Sequence, residues 1–306
     1  MAWSQRVMGA LDARATVLDT SCGAVQLARV GEGPPVFVAH GGPGGFDLAL
    51  AYAEHLRDGG CEVLAPSRPG YLRTPLGSGR SPADQADLYS AVLDTLHIDR
   101  AAVLGFSSGG PSAVHFAARH PERTTALMLD TAILLPFEPP IGALRRATYE
   151  SALLVWFAYR MAARKPALAT RLMVDGVAAG LDQEQRRAAI DWIIADPART
   201  QTLVDQWTAI APKKYRKLGW INDKDNERDL APLPFEDIEA PTLISYGTND
   251  AIVPLEHAQI AAERIAGAEL IFVEEGHHML SSCRFYEPVA RRQLELIHAE
   301  PGGQNC

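Results

Sequence analysis

The apolar run Ala101–Phe106 (AAVLGF) passes with no linker into a helical run that reaches Arg119, and the joint is Gly105-Phe106-Ser107-Ser108-Gly109-Gly110. A strand that turns into a helix this sharply leaves the serine at its apex in a strained backbone conformation. The residues two positions to either side must then be tiny, which Gly105 and Gly109 supply. Pro111 does not spoil the helix, because first-turn N–H groups lack partners anyway. A strand that is apolar on both faces and feeds a helix directly belongs to a parallel sheet covered on both sides.

The flanking sequence repeats that unit. Short apolar or β-branched runs at 14–19, 24–30, 35–40, 62–65, 101–106 and 126–131 predict strands. Helices are expected over 48–58 with Asp47 as N-cap, over 82–96 with Ser81 as cap and Pro82 in the first position, and over 108–119. From about Leu134 to Phe235 helical periods continue without a convincing strand. Strands then return at 242–246 and 269–273, with helices at 255–265 and 283–298. The expected fold class is α/β: a mostly parallel sheet with helices on both faces, built from residues 1–133 and 237–300. Residues 134–236 form an inserted all-helical cap, and 301–306 a disordered tail.

Composition removes several function classes. The 306 residues carry a formal charge of −8, a poor match to a nucleic-acid surface. No apolar window is long enough to span a bilayer, and the N-terminus lacks the continuous apolar segment of a signal peptide. Cys22, Cys61, Cys283 and Cys306 are scattered without a C-x-x-C pair, which argues against a zinc site or disulfide framework and predicts a reducing, cytoplasmic setting.

The chemistry the chain can carry centres on Ser107. Its hydroxyl would stand at a helix N-terminus, where free N–H groups favour developing negative charge. The buried-strand run Val36–Ala39 leads into His40-Gly41-Gly42-Pro43-Gly44-Gly45, a loop able to turn a backbone N–H toward a substrate oxygen. The backbone N–H groups of Gly42 and Ser108 are the expected oxyanion donors, with His40 a brace for the loop. No Lys follows these glycines in the pattern of a phosphate loop. A serine nucleophile needs a base, itself oriented by a third group. Asp250, in the Gly-Thr-Asn-Asp turn after strand 242–246, is the expected acid, with Asp130 its rival. His277, following Glu274-Glu275-Gly276, is the expected base, and His278 is its rival because adjacent side chains point apart. The remaining histidines read as surface or packing residues. Neither metal nor organic cofactor is required.

In order and spacing, HGGPGG at 40–45, SRPGYLRTP at 67–75, GFSSGG at 105–110, YGTNDAIVP at 246–254 and EGHHML at 275–280 resemble the α/β-hydrolase family. The resemblance covers nearly all of the chain outside the helical insert. It implies an eight-stranded, mostly parallel sheet with a helical cap after the sixth strand, and serine hydrolysis through an acyl-enzyme. The HGGPGG loop is similar to that of proline iminopeptidases. Those enzymes usually carry a DQRG-type motif where Ser67-Arg68-Pro69-Gly70 stands here, and a Trp where Ser108 stands. Carbon–carbon bond hydrolases share the cap and a Gly-rich loop. Haloalkane dehalogenases and epoxide hydrolases use an aspartate nucleophile, so Ser107 argues against them.

The insert holds Trp156, Phe157, Tyr159, Trp192, Trp207, Tyr215 and Trp220, which suit either its own small core or a roof over an apolar group. Between 145 and 165, Arg145, Arg146, Arg160, Arg164 and Lys165 face one carboxylate, Glu150. Solvated arginines on a helix explain this pattern, and contact with a membrane surface is the alternative. The expected partner is a small-molecule substrate, with no nucleic acid. The expected activity is a serine hydrolase cleaving a carboxylic ester. An iminopeptidase-like amidase with an acidic pocket drawn from Asp191, Asp196 and Asp205, a carbon–carbon hydrolase, and a non-catalytic receptor are the alternatives.

Overall fold

The computed structural model describes residues 2–138 and 151–299. Arg145, Arg146 and the tail at 301–306 therefore lie outside the described residues. The strands are β1 (Thr16–Thr20), β2 (Gly23–Val30), β3 (Pro35–Ala39), β4 (Glu62–Pro66), β5 (Ala101–Phe106), β6 (Thr124–Asp130), β7 (Thr242–Gly247) and β8 (Glu269–Val273). They form one eight-stranded sheet in the order β1-β2-β4-β3-β5-β6-β7-β8. The β1–β2 and β2–β4 pairs are antiparallel, and the five from β4–β3 to β7–β8 are parallel.

The period-2 alternation of each strand divides its side chains between two cores. Phe37, Leu64, Val103, Leu127 and Ile244 face helices α4 (Pro82–Thr95), α5 (Gly110–Arg119) and, after β7, Glu256–Arg264. Val36, Val38, Val63, Leu104, Met128 and Leu243 face α1 (Ala2–Asp12), α2 (Phe46–Tyr52), α3 (Glu54–Asp58) and the C-terminal helix Glu287–His298. Truncating a fully buried ring such as Phe37 or Phe116 would cost about 3–5 kcal/mol. Ser81 caps α4 as expected: its Oγ accepts the Asp84 N–H at 3.1 Å and the Asp84 carboxylate accepts the Ser81 N–H at 3.0 Å.

Asp47 is not the N-cap of its helix. Gly45 holds that position, the expected helix breaks at Ala53, and the Asp47 carboxylate is engaged elsewhere. Helix α1 has no counterpart in the sequence-based expectation. Between β6 and β7 run α6 (Ala152–Arg164), α7 (Pro166–Val177), α8 (Gln183–Ile194), α9 (Pro197–Thr208) and α10 (Lys217–Arg228). Val174, Leu181, Ile190, Ile193 and Leu203 make a small core there, against which Trp192 and Trp207 pack. Leu230, Leu233, Phe235 and Ile238 instead join the core under the sheet, so the segment closing the insert packs with the larger body. Beyond the insert lie α11 (Glu256–Arg264), after β7, and α12 (Glu287–His298), after β8.

Candidate active site

Ser107 follows β5 directly, with φ 52°, in a single 3-10 turn (Ser107–Gly109) that leads into α5. A non-glycine residue in this left-handed region costs on the order of 1 kcal/mol or more, and persists only where its surroundings enforce it. The two glycines are obligatory. A Cβ on Gly105 would come within 2.7 Å of the Ala113 methyl and 2.9 Å of Gly110 Cα, and one on Gly109 would overlap the Ala39 carbonyl.

A continuous hydrogen-bond series joins three side chains drawn from strand ends. His278 Nε2 lies 3.0 Å from Ser107 Oγ, and His278 Nδ1 lies 2.9 Å from Asp250 Oδ2. With Nδ1–H donating to the carboxylate, Nε2 is left to accept the serine proton. Asp250 Oδ1 accepts the N–H groups of Ile252 at 2.7 Å and Val253 at 3.1 Å, so the carboxylate is fixed from both sides. Its side chain is fully buried, while that of His278 remains 9% exposed.

The expectation for His277 is corrected here: it does not touch Ser107. The loop after β8 is bonded to the loop after β7 through Asn249 N–H to Gly276 O at 2.9 Å, and Glu275 turns with φ 50°. Successive side chains therefore diverge. His278 points to Ser107, and His277 turns inward, where its Nδ1 accepts the Met279 N–H at 3.2 Å and its backbone N–H meets Cys283 Sγ at 3.3 Å. Burial, with the neighbouring His278 adding to it and Asp250 opposing, pushes His277 down to about 4, so it is neutral at ordinary pH.

Asp130, the rival acid, is tied into packing. It accepts from Ser245 Oγ at 2.5 Å, Tyr286 Oη at 2.9 Å, Gln293 Nε2 at 3.0 Å and Tyr52 Oη at 3.1 Å. Burial raises it above the usual carboxylate range, although these donors oppose the shift.

The glycine loop lies against the serine turn. A Cβ on Gly41 would fall 2.9 Å from Ser107 Cβ, and one on Gly42 would fall 3.1 Å from Ser108 Oγ. His40 braces this loop with both ring nitrogens: Nδ1 donates to Gly41 O at 2.7 Å and Nε2 accepts the Arg68 N–H at 3.0 Å. Burial, with the Arg68 charge adding to it, holds His40 well below its ordinary value and so neutral.

Helix α10 brings a polar group that sequence reasoning missed. Ser108 Oγ donates to Glu227 Oε1 at 2.5 Å, and Glu227 pairs with Lys224. Asp223 accepts a bidentate fork from Arg68 at 2.8 and 2.6 Å, and a 2.5 Å bond from Tyr71 Oη. The visible signal was SRPGYLRTP, which supplies Arg68 and Tyr71, but nothing local named their partner.

An open sheet of this order, with a serine on a positive-φ turn after the central strand and a histidine and aspartate on later strand ends, defines a hydrolase of the α/β class. The chain belongs to the alpha/beta hydrolase fold family, whose model matches residues 34–282. The protein is accordingly an α/β-hydrolase enzyme. It is similar to an alpha/beta hydrolase fold protein from Nakamurella multipartita, with 35% identity and a TM-score of 0.86 over 92% of this chain and 98% of that one. An uncharacterized hydrolase of Bacillus subtilis (strain 168) is 27% identical over 84% of this chain and 89% of its own length. A poly(3-hydroxyalkanoate) depolymerase of Ectopseudomonas oleovorans is 24% identical over 87% and 88%.

Proposed function

We propose that this hydrolase cleaves a carboxylic ester of a small apolar substrate through an acyl-enzyme on Ser107. The observation that carries the reading is the series Asp250–His278–Ser107, with bonds of 2.9 and 3.0 Å on a strained turn.

His278 Nε2 takes the Oγ proton as Ser107 attacks the acyl carbon. The carbonyl oxygen becomes an oxyanion, faced by the backbone N–H groups of Ser108 and Gly42. Collapse breaks the bond to the leaving alkoxide, which receives the proton from His278. Water then attacks the acyl-enzyme while His278 takes one of its protons. The Ser107–acyl bond breaks, the acid departs, and the proton returns to Oγ. Asp250 keeps the imidazole in the tautomer this requires and stabilises the imidazolium. Helix α10 of the insert reaches this site through Glu227, which supports the insert's role as its cap.

The depolymerase relative is named for a polyester, which supports acyl transfer to water. An aminopeptidase needs carboxylates free to receive a substrate ammonium. Those nearest Ser108 are already paired, Asp223 with Arg68 and Glu227 with Lys224. Asp191 is 57% exposed opposite arginines, Asp196 caps α9, and Asp205 lines a cavity beside α2. This distribution favours the ester over the amide.

The test compares p-nitrophenyl butyrate with a prolyl nitroanilide, using Ser107→Ala as the blank. Ester turnover should dominate and fall by about 10⁴-fold or more in the variant, which should stay folded. Faster anilide than ester cleavage, or turnover retained in Ser107→Ala, would overturn the reading.

A further inference from the structure

Two buried Arg–Asp forks cross the junction between the sheet body and helix α10, in opposite senses. Arg68, in the loop after β4, forks onto Asp223 of α10, with side chains 2% and 3% exposed. Arg216, just before α10, forks onto Asp47 in the first turn of α2 at 2.9 and 2.6 Å, and the Arg216 side chain is wholly buried. Each guanidinium has a further bond in common: it donates to a main-chain carbonyl of the glycine loop. Arg68 Nε reaches His40 O at 2.7 Å, and Arg216 Nη1 reaches Gly44 O at 2.6 Å. The remaining Arg216 donors close on Ala211 O at 3.2 and 2.8 Å, so the whole fork is engaged.

A loop rich in glycine has no intrinsic preference for one backbone orientation. An oxyanion hole works only if its N–H is held in place before the charge develops. The loop 40–45 is gripped near both ends by cations whose own positions are fixed by carboxylates on the opposite side of the junction. Asp223 Oδ2 also stands 2.7 Å from the position a Gly42 Cβ would take, so the carboxylate walls the loop between its two anchored ends.

We propose that Arg216 and Arg68, held by Asp47 and Asp223, are positioning residues that set the Gly42 N–H, so that seating of helix α10 on the sheet body forms the oxyanion hole. The inference rests on the serine-hydrolase reading above. It accounts physically for the segment SRPGYLRTP. Arg68 grips the loop, Tyr71 holds Asp223, and Gly70 lies so close to Gly219 of α10 that a Cβ would fall 2.6 Å from the Gly219 nitrogen.

The experiment uses the full chain and the variants Arg216→Lys, Arg216→Met and Asp223→Asn. Three quantities are read per folded molecule: kcat and KM for p-nitrophenyl butyrate, the inhibition constant of an alkyl boronic acid, and the rate of Ser107 labelling by a fluorophosphonate. Arg216→Met should lower kcat by about 10- to 10³-fold with KM within about threefold, and should weaken the boronic acid in proportion. Arg216→Lys, which keeps the charge but not the fork, should fall between wild type and Arg216→Met, and carries the test if the methionine variant does not fold. Asp223→Asn should lose less, because one acceptor oxygen remains for Arg68. Unchanged kcat, labelling rate and boronic acid affinity in folded variants would overturn the proposal while leaving the hydrolase reading intact. A wild-type Ser107 that fails to label would remove the serine-hydrolase reading and this proposal together.

Discussion

Ser108 Oγ donates a 2.5 Å hydrogen bond to Glu227 Oε1, tying the residue after Ser107 to helix α10 of the insert. Both side chains are buried, and burial raises the Glu227 carboxyl above its ordinary range despite Lys224 opposing. Glu227→Leu would leave a buried hydroxyl unpartnered, at a cost of about 1–3 kcal/mol. Glu227→Gln keeps an acceptor and should lose less. Urea unfolding of the two variants checks this ranking, and equal losses would show that the bond to Ser108 contributes little beyond the Lys224 pair.

His278 and His277 are neighbours with separate roles, so their substitutions should separate cleanly. His278→Gln removes the group between Asp250 and Ser107, and ester kcat should fall by about 10³-fold or more. His277→Gln keeps an acceptor near the Met279 N–H and lies away from Ser107, so kcat should stay within about tenfold while the melting temperature drops. A larger activity loss at position 277 than at 278 would reverse the assignment.

The serine turn was legible because its constraints are local: the glycine positions, the strand before it and the helix after it lie within one short stretch. Asp250 was legible for the same reason, as a turn residue at a strand end. The choice between His277 and His278 was not local, since it depends on a loop turned at Glu275 and bonded to Asn249. The pairing of Arg68 with Asp223 and of Arg216 with Asp47 was equally hidden, because more than 150 residues separate the partners of each fork. Helix α1 shows its apolar face only through Val7, Met8 and Leu11, and it is the sheet, against which Met8 and Leu11 are buried, that gives so short a pattern its meaning.

Among the buried histidines held below their ordinary value, His257 and His277 make stability depend on pH over a defined window. His257 Nδ1 accepts the N–H groups of Leu134 at 2.9 Å and Leu135 at 3.3 Å, which only an unprotonated Nδ1 can do. Burial, with Asp250 partly opposing, pushes His257 down to about 4, the same value as His277. The unfolded chain binds these protons near pH 6.5, so between about 6.5 and 4 it holds more protons than the folded one. Stability is therefore full above 6.5 and declines as pH falls, by about 2 kcal/mol per histidine at pH 5. His257→Gln should be less stable at pH 7.5, yet lose about 2 kcal/mol less than wild type between pH 7.5 and 5. Urea midpoints at the two pH values decide it, and parallel losses would exclude His257 as a source.

Gly42 should reject a methyl group although its own backbone lies outside the left-handed region. Its added Cβ would lie 2.7 Å from Asp223 Oδ2, 3.1 Å from Ser108 Oγ and 3.1 Å from Tyr71 Oη. Asp223 has no freedom to retreat, since Arg68 holds both its oxygens and Tyr71 one of them. The loop must move instead, and the Gly42 N–H moves with it. Gly42→Ala is therefore expected to lower ester kcat by up to about 10²- to 10³-fold, the range for losing one oxyanion donor, with KM little changed. Gly77→Ala is the control: a Cβ there meets nothing within 4 Å, and its turn lies outside the site. If both variants kept wild-type kcat, Gly42 would not supply the donor and the loop's second donor would have to be sought elsewhere.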